Sequence, residues 1–234
     1  MLFAESRIRG IQDNLRKEYI RRFLLCALGL ACFSVGNVFG VHAGSAGTNA
    51  WNTLALGISG TTSLSFGTVT LLISVLVIVI DIIFKGRIGF GTLMNALLIS
   101  WFSDLLLGIF DFLPYAQNQF IGAALTIIGQ TIISFSTILY MWPGLGCGPR
   151  DTLMVIIGKR FPKAPIGFIK FCMELVVLLI GVLLGAPFGL GTVLIMALQA
   201  TIFQFASRIC HYDPRNFVHE DILDTIRRIT GHES

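Results

Sequence analysis

Apolar residues dominate this chain in runs long enough to cross a lipid bilayer, which takes about 20 residues of helix. Six runs qualify: residues 23–43, 64–84, 89–113, 120–141, 166–186 and 190–207. Two further apolar segments, 48–60 and 149–159, are too short to cross. Each follows a loop of small residues, Ala46-Gly47 in one case and Leu145-Gly146-Cys147-Gly148 in the other. Short apolar segments of this kind are expected as interfacial or re-entrant half-helices. Ahead of the first run, Ile8, Ile11, Leu15 and Tyr19 recur every three or four positions with Arg and Lys between them. That spacing predicts a basic amphipathic helix attracted to anionic lipid. Behind the last run, Ile222, Ile226 and Ile229 share one face of a predicted tail helix. The chain thus divides into an amphipathic segment (1–22), a first three-helix unit (23–113), a second (114–208) and a tail (209–234).

Composition narrows the class. Of 234 residues, 54% are hydrophobic and 13% charged, with a mean hydropathy of +0.79. A soluble domain carries about 25% charge, so the expectation is an all-α, polytopic membrane bundle. No cleavable signal peptide is expected, because the first apolar run follows a long charged lead and is long enough to span. The five cysteines form no CxxC pair, and with the four histidines they make no metal-ligand spacing. No metal, cofactor or nucleic-acid partner is expected. The net charge of +4 gathers in alternate connections. Lys and Arg precede the first run, occupy 85–87, 150–163 and the tail, and are absent between runs one and two, three and four, and five and six. Under the positive-inside rule both termini are cytoplasmic.

The chain also repeats itself. Gly89-Phe90-Gly91-Thr92 returns as Gly189-Leu190-Gly191-Thr192, 100 positions later. Asn52-Thr53-Leu54 is answered by Asp151-Thr152-Leu153, 99 positions later. Each half reads span, glycine turn, half-helix, span, GxGT span. Three spans per half is an odd number, so the second half enters the membrane inverted, in agreement with the charges. The prediction is a 3+3 inverted repeat of six transmembrane helices with two half-helices, an architecture that places a binding site at the repeat interface.

Several strings resemble the YczE/YitT-like family of bacterial integral membrane proteins. They are Gly47 to Leu54, Ser65-Phe66-Gly67-Thr68, Gly86 to Ala96, and Gly148-Pro149-Arg150-Asp151-Thr152-Leu153-Met154. The resemblance runs from about residue 22 to residue 204. It departs from the family where Ala50-Trp51-Asn52 stands in place of Pro-Trp-Asp, an amide replacing an acid. The resemblance implies a multi-pass protein of the bacterial inner membrane, a transporter or membrane accessory protein with no named substrate.

Among candidate chemical groups, Arg150 and Asp151 open the second half-helix after Pro149, which suits a first helical turn. A helix start offers free N–H groups and a positive dipole end, so with Arg150 it forms an anion site. The competing reading is a helix cap with a cytoplasmic positive anchor. Asn49, Trp51 and Asn52 are the first half's counterpart, with Trp51 also suited to an interfacial belt. Asp104 lies within the third run, and its mate at an offset of 100 is Gln204. Ionisable groups at that depth are costly, which makes Asp104 the candidate for proton or cation coupling; the alternative is a helix fastener. Asp81 and Asp111 lie nearer run ends, where solvent is expected to reach them. Lys170 and Glu174, at i and i+4, are expected to form an ion pair. Asn95, Gln130 and Gln199 read as interhelical hydrogen-bonders.

The leading functional expectation is a secondary transporter or exporter of a small polar or anionic solute. The alternatives are the substrate-binding subunit of an ATP-driven vitamin importer, with Ala27 and Ala31 as a small-residue docking face, and a membrane regulator with no transport cycle. Enzymatic activity is not expected: no nucleophile–base pair, Walker A string, HExxH or GxSxG is present. The expected partners are the bilayer, a small solute and, through small-residue faces, a second copy of the chain.

Overall fold

The computed structural model of the protein describes residues 2–212 and 219–230, with side chains for all of these except 2–14, 166 and 230. The apolar runs emerge as helices: α1 (Leu2–His42), α2 (Ala50–Thr61), α3 (Phe66–Ile83), α4 (Phe90–Ile109), α5 (Gln119–Met141), α6 (Pro149–Arg160), α7 (Ile166–Leu183), α8 (Leu190–Ile209) and α9 (Ile222–Thr230). The local chemistry sets the starts. Asn49 Oδ1 accepts from Asn52 N at 3.0 Å ahead of α2, and Ser65 Oγ from Thr68 N at 3.1 Å ahead of α3. Such caps satisfy donors that a helix start leaves open. Pro149 occupies the first turn of α6, which no side chain caps.

Five described helices are long and apolar enough to span: the Leu15–His42 part of α1, and α3, α4, α5 and α8. The sixth predicted span is the 18-residue α7. At 12 residues each, α2 and α6 are about 18 Å long, against a hydrocarbon core of about 30 Å. Apolar side chains also cover the outside: Leu76, Phe120 and Leu183 are 61%, 77% and 85% exposed. Only a lipid solvent makes such a surface stable, and the protein is a multi-pass membrane protein. The segment expected as an amphipathic helix at residues 1–22 is helical from Leu2 and continues into the first span, since α1 runs unbroken from Leu2 to His42. Ile8 and Ile11 lie outside the described side chains; Tyr19 is buried.

At the centre α1 and α5 cross antiparallel. Gly29 faces Tyr140, Gly36 faces Gly129, and Gly122 faces Ala43. The contact is reciprocal: a Cβ on Gly36 would lie 2.6 Å from Gly129 O, and one on Gly129 would lie 2.6 Å from Gly36 O. Only glycine allows two backbones that close. Around this crossing α4 packs on α1, α8 on α5, α2 on α7 and α3 on α6. The two GxGT starts make corresponding contacts. Gly91 N donates to Leu145 O at 2.7 Å, in the loop before α6. A Cβ on Gly191 would lie 2.8 Å from Gly47 O, in the loop before α2. The halves differ in their packing: α3 packs along α4, whereas α7 barely touches α8, and α7 instead packs more extensively on α2 than α3 does on α6.

Candidate functional site

The starts of the two half-helices converge on a cavity of about 380 Å³, within the range of small-molecule sites. Asn49, Ala50 and Trp51 line it from α2, and Gly148, Pro149, Arg150 and Asp151 from α6. Residues 99 positions apart in sequence thus meet across one space. The Arg150 guanidinium lies over the Trp51 ring, 4.5 Å from its centroid, a cation–π contact between the halves. Among the described residues no hydrogen bond or ion pair engages that guanidinium. Its donors therefore remain open at the uncapped start of α6, where the helix dipole also favours an anion. Asp151 Oδ2 lies 3.5 Å from the Tyr140 hydroxyl, which points to it as a donor.

The far wall comes from α7 and α8. Lys170 Nζ stands 3.8 Å from Glu174 Oε1, as their spacing led us to expect. Glu174 also accepts a hydrogen bond from Gln199. Both partners reduce the cost of keeping a carboxylate that is 6% exposed. Asn95, Gln130 and Gln199 all line the cavity; Gln199 also makes the interhelical hydrogen bond expected of it, to Glu174. Among the described residues no group of three His, Cys, Asp or Glu stands close enough to hold a metal ion.

Two expected site residues lie elsewhere. Asn52 is 3% exposed and turns away from the cavity. Its Nδ2 donates to Asn37 Oδ1 at 3.1 Å, and Asn37 Nδ2 donates to Ser103 Oγ at 3.3 Å. This relay ties α2 to α1 and α4. The Asn52 amide supplies the donor that the relay uses. Asp104 is likewise absent from the cavity lining. Its Oδ2 accepts from Ser65 Oγ at 2.5 Å and its Oδ1 from Gly67 N at 2.6 Å. It anchors α4 to the start of α3, where a carboxylate suits the helix dipole. Gln204 in the other half is exposed and sits where α7 and α8 stand apart.

Sequence reasoning assigned no functional role to Asp81, set aside as reached by solvent, or to the tail beyond its helix. Asp81 is completely buried, although its nearness to a helix end suggested access to solvent. The tail reaches the cavity rim through His219. Beside it, Glu220 accepts from Tyr19, Arg22 and Arg228, each at 2.8 Å. Its backbone N–H donates to Gly144 O at 2.9 Å. Burial works against the Glu220 carboxylate, but the hydrogen bonds from Arg22 and Tyr19 outweigh it and hold its pKa below the usual glutamate value. Burial also lowers the pKa of His219. Arginines spaced for membrane orientation gave no sign that two of them would share one glutamate.

A family model described as a family of unknown function, DUF6198, matches residues 20–208. An uncharacterized protein of Haemophilus influenzae is 36% identical over 159 residues, 68% of this chain and 71% of its own. The uncharacterized membrane protein YczE of Bacillus subtilis is 25% identical over 194 residues, 82% of this chain and 88% of its own. No solved structure gives a significant match. The matched stretch takes in both half-helices and every cavity residue named above except His219, and the chain belongs to this YczE-like family of membrane proteins.

Proposed function

We propose that this protein is a secondary carrier of small anions, with both termini in the cytoplasm of a bacterial cell and the inner membrane as its site. The observation that carries the reading is the Arg150 guanidinium, free of hydrogen bonds and ion pairs among the described residues and stacked on Trp51 at an uncapped helix start that lines the cavity. A half-buried guanidinium with open donors gains from a hydrogen-bonding anion, and an anionic solute is the partner that would supply it. The antiparallel crossing of α1 and α5 and the corresponding GxGT contacts support an inverted repeat, the frame for rocking one half against the other around a fixed site. The unequal closure supports one end-state of that cycle, with α3 and α4 latched at the outer end and α7 and α8 parted at the inner one. Lipid and a small solute are the partners this reading needs, and it assigns no enzymatic step.

The test is a thermal-shift series on the detergent-purified protein with formate, acetate, larger carboxylates, phosphate and sulfate. A ligand present at 100 times its Kd stabilises the protein by about 2.7 kcal/mol. The expected result is a shift in the wild type that is lost in Arg150→Gln and weakened in Trp51→Leu. Gradient-driven uptake into liposomes by the chain alone would separate a carrier from a subunit that needs an ATPase partner. Equal shifts in wild type and Arg150→Gln would remove the anion site.

A further inference from the structure

Asp81 is a carboxyl group in the last turns of α3 with 0% exposure, and neither of its oxygens has a hydrogen-bond partner. The helix that carries it, α3, packs against α6, the half-helix that carries Arg150. A Cβ on Gly86, at the turn that follows, would lie 3.0 Å from Thr152 Cγ2 of α6 and 3.1 Å from the Asp81 carbonyl oxygen. The packing does not call for an acid here. The position 100 residues on is Gly181, where a Cβ would already lie 2.7 Å from Leu54 N of α2. The surrounding elements offer no compensation. α2 has no titratable side chain, and α4 has only Asp104, at its opposite end. α6 has Arg150 and Asp151 at its cavity end and Lys159 and Arg160 in its last turn. Lys85 and Arg87 follow in the α3–α4 turn, Glu220 beyond them is held by its own cations, and the Cys147 thiol is close enough to feel the Asp81 charge. None of these groups bonds to Asp81.

An ionised carboxylate stripped of water and partners costs several kcal/mol, and a neutral carboxyl much less. We infer that Asp81 is a proton-binding site at the α3–α6 contact, whose protonation state sets the position of α6. With α6 seated, the carboxyl keeps its O–H bond. When α6 moves off and admits water, that bond breaks, the proton leaves as hydronium, and the carboxylate stays hydrated, holding the contact open. Because α6 carries Arg150, proton release is linked to the cavity; that link rests on the carrier reading, whereas the proton site does not.

Infrared spectroscopy of the reconstituted protein reads the site directly, through the carbonyl stretch that a carboxylic acid has and a carboxylate lacks. The expected acid band is lost in Asp81→Asn, kept in Glu174→Gln and shifted in frequency in Asp81→Glu. In a Trp101→Phe, Trp142→Phe background, Trp51 fluorescence reports where α6 and its Arg150 sit. This signal is expected to titrate with pH and to become flat once Asp81→Asn is added. An acid band that survives Asp81→Asn, or a Trp51 titration that this change leaves intact, overturns the inference. Should Asp81→Asn fail to fold, an acid band whose frequency is the same in Asp81→Glu overturns it too. Neither readout involves an anion, so failure here leaves the Arg150 site to its own test.

Discussion

At the scale of single residues, the polar groups of the bundle divide by whether their bonding is complete. Asn37, Asn52 and Ser103 satisfy one another inside the protein and serve as a brace. Arg150 has a ring beneath it and open donors, and Asp81 has nothing. Completed groups hold helices together, and incomplete ones are where a ligand or a proton is of use. Asn52→Ala is therefore expected to act on stability. It deletes a donor and leaves Asn37 Oδ1 unpaired, at a cost of about 1–2 kcal/mol. Denaturant unfolding in detergent measures this. Anion shifts in the folded fraction should match the wild type, because Asn52 faces away from the cavity.

At the scale of elements, the half-helices owe their value to being short. A helix that ends within the membrane places its terminus, with open N–H groups and dipole, where a spanning helix has only side chains. The glycines of the α1–α5 crossing and of both GxGT strings bring the backbones close enough to frame those ends. Asp104 acts at this scale as well, closing α4 on the start of α3 through Ser65 and Gly67. Asp104→Asn removes the charge that the helix start favours and one acceptor, at a cost of about 1 kcal/mol. Amide exchange over residues 66–69 is expected to quicken, while anion binding at Arg150 keeps its Kd. A changed Kd with unchanged exchange would instead return Asp104 to the coupling role that its sequence position suggested.

At the scale of the whole molecule, the tail closes one end of the bundle through Glu220, which gathers Tyr19 and Arg22 of α1 with Arg228 of α9. The pKa values of both Glu220 and His219 lie below their usual values. For such groups the stabilising contribution is complete above the unfolded pKa and is lost as pH falls through the folded one. The unfolded values are about 6.5 for His and 4.3 for Glu. Acidification is therefore expected to release the tail, first below about pH 6.5 as His219 takes up a proton and further below about 4.3 as Glu220 does. Limited proteolysis between the end of α8 and α9 should speed up over that range. In Glu220→Gln the step at the lower pH should disappear.

The sequence by itself determined the solvent, the helices and their order. Hydropathy, helix caps and the runs free of Lys and Arg are local properties, readable along the chain without knowing its path. The matched strings around Gly89 and Gly189, and around Asn52 and Asp151, likewise pointed to two related ends meeting at one place. Only the tertiary structure decided which polar groups face that place. Asn52 and Trp51 are neighbours on one turn, yet one is tied into a brace and the other carries Arg150. Asp81 and Asp104 both lie in the last two turns of their helices, yet one lost every partner and the other found two. A helix period states which residues share a face, but burial and pairing depend on what another helix, a hundred residues away, brings against that face.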